Sequence, residues 1–158
     1  MKSTLTGLLL CAIGLSAQPS KSAQEQELLK VEAEWYKAYL QSDSATMNRL
    51  EGEDMIVITP TMLPSRLKPL NKGRDLQSGS AAARALRATI VRSLEKTQVR
   101  LLGSIGIIDA IMVSVGKNEA GAETTRRTYY SSVWEKRKGA WQCINAQFTE
   151  IPEENWQR

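Results

Sequence analysis

Residues 127–151 constrain the fold more than any other stretch of this chain. They read RTYYSSVWEKRKGAWQCINAQFTEI. Two segments rich in β-branched and aromatic residues, 124–137 and 141–151, flank Lys138-Gly139, a pair suited to a tight reversal. A hairpin this long is not stable by itself, so it requires further strands and a cover. In its second arm Trp141, Cys143, Asn145, Gln147 and Thr149 fall at every second position. Strict alternation puts these five on one face and Ile144, Ala146 and Phe148 on the other. Amides buried beside a tryptophan need hydrogen-bond partners, so this face is expected to line a pocket. In the first arm Tyr130, Ser132 and Trp134 alternate with Tyr129, Ser131 and Val133. One tyrosine faces inward, and the pattern does not say which.

The remainder supplies the cover. Leu28, Val31, Trp35, Ala38 and Tyr39 recur at spacings of three and four, an apolar stripe on a helix starting near Glu25. Asp43 is placed to cap a short second helix that buries Met47 and Leu50 and stops at Gly52. Met55–Thr59 is β-branched and ends at Pro60, so it reads as a strand. The proline-rich loop over 60–74 follows. The segment AAARALRATIVRSLEK, begun by Ser78 or Ser80, reads as a third helix with Leu86, Ile90 and Leu94 along it. Val99–Leu102 and Ile105–Val115 read as strands, the second buried on both faces. Early helices followed by a meander of strands give an α+β domain.

Composition narrows the chemistry. The 158 residues carry a net charge of +4, with basic and acidic residues mixed along the chain. A nucleic-acid binder concentrates its basic residues on one face, so that class is set aside. There is no histidine. Ser-His-Asp and Cys-His mechanisms are therefore excluded, and the commonest zinc ligand is missing. With no paired cysteines and no clustered carboxylates, neither a metal site nor a cofactor is expected. Lys2 and the apolar run Leu5–Leu15, followed by Leu15-Ser16-Ala17, form the pattern of a secretory signal peptide, too short for a membrane span. Residues 1–17 are thus expected to direct export to the periplasm or exterior, with lipidation at Cys11 as a further possibility. Residues 18–24 read as a flexible leader, 25–152 as one domain and 153–158 as a tail. Cleavage after Ala17 would leave Cys143 as the sole thiol, in a strand, where a small buried residue is the ordinary role.

The motifs VEAEWYKAYLQSDSATMNRL, GEDMIVITP, KGRDL, VRLLGSIGIIDAIMV and RTYYSSVWEKRKGAWQCINAQFTEI occur in an order that resembles the nuclear transport factor 2-like superfamily. This superfamily includes the ketosteroid isomerase-like and SnoaL-like groups and a large bacterial set of unknown role. The resemblance covers Glu25 to Ile151 and is weak over 61–97. It implies a cone-shaped, curved antiparallel sheet wrapped around N-terminal helices, with an internal pocket. It also implies the possibility of a homodimer through the open sheet face. Compared with the isomerases, Thr59 stands at the position of the catalytic aspartate before the proline, and Trp35 at that of the oxyanion tyrosine. A threonine hydroxyl is no general base near neutral pH, so steroid-type isomerisation is not expected.

The pocket residues expected from this reading are Trp35, Tyr39, Tyr130, Trp134, Asn145 and Gln147, whose rings and amides suit a small, partly apolar ligand. Asp54 and Asp109 are the weak candidates for a catalytic base. Asp109 could pair with Arg100, Arg126 or Arg127. The leading expectation is an exported small-molecule-binding protein. The alternatives are a cofactor-free isomerase, dehydratase or cyclase, and a homodimeric association module.

Overall fold

The computed structural model describes residues 22–60, 77 and 80–156. The expected signal peptide, Cys11 and most of the proline-rich loop lie outside these residues. Helix α1 spans Ala23–Gln41. Its N-terminus is a capping box: the Ser22 hydroxyl accepts from the Glu25 amide, and the Glu25 carboxylate accepts from the Ser22 amide. Helix α2 spans Ser44–Leu50, and the Asp43 carboxylate caps it by accepting from the Thr46 amide at 3.0 Å. Helix α3 spans Ala81–Ala88 behind the cap Ser80.

The strands are β1 (Glu51–Ile58), β2 (Val91–Leu102), β3 (Ile105–Lys117), β4 (Glu123–Arg137) and β5 (Ala140–Glu150). They form one sheet in the order β1-β5-β4-β3-β2. The pairs β2–β3, β3–β4 and β4–β5 are antiparallel, and β1 lies parallel to β5. Helices and sheet share one core: Leu28, Trp35, Ala38, Met47 and Leu50 pack against Ile108, Ala110, Met112, Tyr130 and Trp134. This is the expected α+β architecture, with β1 as the parallel member of a mixed sheet. Leu28 and Trp141 close over Gly106, where any Cβ would collide with the Leu28 side chain.

Three local expectations change. The third helix ends eight residues early: Thr89 is its C-cap, and the β-branched Ile90 and Val91 that follow favour extended backbone. The Thr89 hydroxyl donates to the Leu86 carbonyl at 2.7 Å, and the remaining residues enter β2. Strand β1 starts at Glu51 rather than Met55, so Gly52 lies within it. Strand β3 is buried on one face rather than two: Gly106, Ile108, Ala110 and Met112 are buried, while Ile105, Ile107, Asp109 and Ile111 are half-buried on the other side.

The largest difference lies in β5. Val133 pairs with Asn145, but Trp134 pairs with Cys143, so Ile144 is an extra residue. This bulge reverses the facing of everything beyond it. Trp141 and Cys143 face the helices. Past the bulge Ala146, fully buried, and Phe148, packed on the core, take that side. Asn145, Gln147 and Thr149 point to the opposite face, with Gln147 and Thr149 exposed. Tyr130 is the inward tyrosine and Tyr129, 59% exposed, the outward one.

Candidate functional site

Two concavities flank the sheet. The inner one is a groove of about 430 Å³ between α1 and β2, walled by Leu29, Ala33, Leu40 and Leu94, with Glu32, Arg92 and Lys37 as its charged groups. Glu32 is one turn beyond Leu28 on the buried stripe of α1 and is 2% exposed. Burying a carboxylate there requires a partner. Arg92 supplies it from the first turn of pairing in β2, its Nη2 donating to Glu32 Oε1 at 2.6 Å. The guanidinium also lies 4.0 Å from the Tyr36 ring centre and 4.9 Å from that of Tyr130. Arg92 Nε and the Tyr130 hydroxyl are buried without hydrogen-bond partners. Burial pushes the Tyr130 phenol well above its ordinary pKa, so it stays protonated and a donor.

The aromatic residues expected to line a pocket have their polar tips engaged within the core. Trp35 Nε1 donates to Glu51 Oε1 at 3.1 Å, and Trp134 Nε1 donates to the Ser132 hydroxyl at 3.0 Å. The two indoles meet edge to face at 6.2 Å. Tyr39 stacks beside Tyr36 and under Arg87. Thus Trp35, Tyr130 and Trp134 lie together on the helix side, with Tyr39 at its margin. Asn145 and Gln147 are separated from them by the thickness of the sheet, because of the bulge at Ile144.

The outer concavity, about 470 Å³, is lined by Lys96, Gln98, Asp109, Ile111, Tyr129 and Gln147, among others. Asp109 is the centre of its polar contacts. Oδ2 accepts from Arg100 Nη2 at 2.6 Å and Oδ1 from the Ser131 hydroxyl at 2.8 Å. Of the three arginines considered for it, Arg100 is the partner; Arg126 faces Glu150 and Arg127 faces Glu95. Asp54 lies apart at the β1 edge, gripped in bidentate fashion by Arg137 at 2.8 and 2.7 Å. That contact holds its carboxyl below the ordinary aspartate value, which makes it a poor base at neutral pH.

Glu32, Tyr36 and Arg92 were not among the residues singled out from the sequence. Glu32 had a legible signal, a carboxylate on an apolar helical stripe. Arg92 did not, because its segment reads as helix. Among the described residues no group of three or more acidic or cysteine side chains is placed to hold a metal ion, and no helix is long and apolar enough to cross a membrane.

A cone of helices held by a curved mixed sheet is the nuclear transport factor 2-like fold. The chain is similar to such a protein from Cytophaga hutchinsonii, with a TM-score of 0.59 and 20% identity over 82% of this chain and 100% of that one. The family profile described as calcium/calmodulin dependent protein kinase II association domain matches residues 24–150, and the chain belongs to that family. The association domain of C. elegans CaMKII superposes with a TM-score of 0.63 and 21% identity, over 80% of this chain and 95% of that chain. The S. rosetta CaMKII hub gives 0.62 and 17%, over 84% and 100%. No curated protein matches the chain.

Proposed function

We propose that this chain is a self-association module that assembles through the outer face of its sheet. The observation that carries the reading is the composition of that face. Ile107, Val133, Ile111 and Tyr129 are cross-strand neighbours there, with Ile56 beyond Asn145, and no described helix packs across them. Between them lies one polar pair, Asp109 with Ser131, so the face is two apolar patches about a polar centre, and exposed apolar patches of this kind mark contact sites. Two pairs of charges on this face are matched within one copy, Arg100 with Asp109 and Arg127 with Glu95. A two-fold interface lays the same patch against itself, so internal pairing avoids facing like charges. Membership of an association-domain family supports the same reading.

The test is the mass of the intact chain in solution by light scattering on a sizing column. An oligomer at tens of micromolar is expected, with Ile107→Glu plus Ile111→Glu shifting it to monomer while circular dichroism stays unchanged. A wild-type chain that is monomeric at that concentration sinks the reading.

A second reading, a small-molecule-binding protein, is favoured by the inner groove, whose volume lies in the range of ligand pockets. Export is part of both readings. What supports it is the apolar run Leu5–Leu15 behind Lys2, and the test is whether the chain is recovered outside the cytoplasm, shortened near Ala17.

A further inference from the structure

Lys96, Glu153 and Glu154 stand at the margins of the outer face, with no ion-pair partner among the described residues of one copy. Lys96 lies on the β2 side. The ladder between β2 and β3 shifts between Glu95 and Gln98, and Lys96 takes a φ of 50°, a region sterically unfavourable for a residue with a Cβ. The bulge re-aims the chain, so that Lys96 enters the outer concavity while Thr97 lines the inner groove. The two glutamates are exposed on the short turn Glu153–Asn155 that follows β5. This turn folds back toward the outer face: Trp156 Nε1 donates to the Ile151 carbonyl at 2.9 Å, and its ring lies 5.9 Å from the Arg127 guanidinium.

Lys96 and the turn lie at one end of the sheet but on opposite margins, because the row Glu95, Ile111, Tyr129, Thr149 runs across β2, β3, β4 and β5. Three strand spacings, about 14 Å, separate those margins. Stacked sheets keep their strands within about 30° of one another, which leaves two face-to-face two-folds. An axis across the strands, along the row of Asp109 and Ser131, lays Asp109 on the partner's Asp109 and turns Lys96 toward the partner's Arg100. Like charges facing each other oppose such an arrangement. An axis along the strands exchanges β2 with β5 and β3 with β4. Asp109 then meets the partner's Ser131, and Lys96 meets the partner's Glu153 and Glu154.

We propose that two copies pack outer face to outer face about a two-fold axis running along the strands between β3 and β4, with Lys96 of each copy against Glu153 and Glu154 of the other. This rests on the association reading above and adds the orientation of the partner. The polar centre sits near the axis, the apolar patches flank it, and the unmatched charges pair at the rim.

The test is the dissociation constant of the full chain at low ionic strength, read by sedimentation for Lys96→Glu, for Glu153→Lys with Glu154→Lys, and for an equimolar mixture of the two variants. Each variant alone sets like charges against each other at both rims and should associate about tenfold more weakly than the wild type. In the mixture both rims again carry opposite charges, and association should return to within about twofold of the wild type, which also shows that both variants fold. If both variants associate as the wild type does, or if mixing restores nothing, the orientation is wrong while association through this face stands. If the wild type is monomeric at tens of micromolar, the association reading falls, and the proposal with it.

Discussion

Strand β3 shows its two sides to different surroundings. Toward the helices it presents Ile108, Ala110 and Met112, and the charges near that side, Glu32 and Arg92, are almost fully enclosed. Toward the outer face it presents Ile107, Asp109 and Ile111, and the Arg100–Asp109 pair there is 58% and 38% exposed. Both pairs have an N···O separation of 2.6 Å. Their geometry is alike, and their energetic meaning is not. Water screens and solvates the outer pair, so its partners are nearly content apart. The inner pair has no water to fall back on, so each charge depends on the other. The inner face is therefore where stability is concentrated, and the outer face is where a partner can be accommodated at little cost to the fold.

The comparison breaks first at the ion pairs. Glu32→Ala should cost about 3–5 kcal/mol in urea unfolding, because it leaves a buried guanidinium uncompensated. Asp109→Ala should cost no more than about 1 kcal/mol. Equal losses would show that the two faces are not different in kind. Next comes packing at the sealed end of the inner face. Gly106→Ala sets a methyl group into the Leu28 side chain and should cost about 1–3 kcal/mol, read as a lowered Tm.

Thiol chemistry sharpens the same contrast without altering stability. Cys143 is fully buried, and burial pushes its pKa far up, so it should stay unmodified by a thiol reagent until the chain unfolds. A cysteine introduced by Ile107→Cys should react in the native monomer and be protected on association. The smallest effect belongs to the exposed Asp54–Arg137 pair at the sheet edge. Its carboxyl titrates below the ordinary 3.8 when folded, so its contribution is complete above that value and is lost as the pH falls through the folded pKa. Asp54→Asn should therefore flatten the acid limb of the stability profile below about pH 4 by less than about 1 kcal/mol. A change at neutral pH above that size would contradict the exposed setting of the pair.

Much of this fold was legible in the chain. The stripe from Leu28 to Tyr39, the cap at Asp43 and the turn at Lys138-Gly139 are local signals, and each element forms where its residues point. Both residues of that turn have positive φ, as a tight hairpin requires. The candidate site was less legible. Trp35, Tyr130 and Trp134 gather on the helix side of the sheet as core, and none of them lines the inner groove. Asn145 and Gln147 do not join them, because alternation was counted through Ile144, where the ladder admits an extra residue. A bulge is a property of two strands in register, and no single strand announces it. Arg92 was missed because ATIVRSLEK has both helical spacing and β-branched content, and pairing of β2 with β3 decided between them.

The amino-acid sequence by itself determined the hairpin, the capped helices, the absence of any imidazole and the family to which the chain belongs. Tertiary structure decided which face each side chain of β5 presents, and it joined Glu32 to Arg92 across 60 positions of chain. The reason is physical. Turns, caps and helical stripes are set by neighbours within a few residues. Strand register and the pairing of a buried charge arise only when distant segments exclude water together.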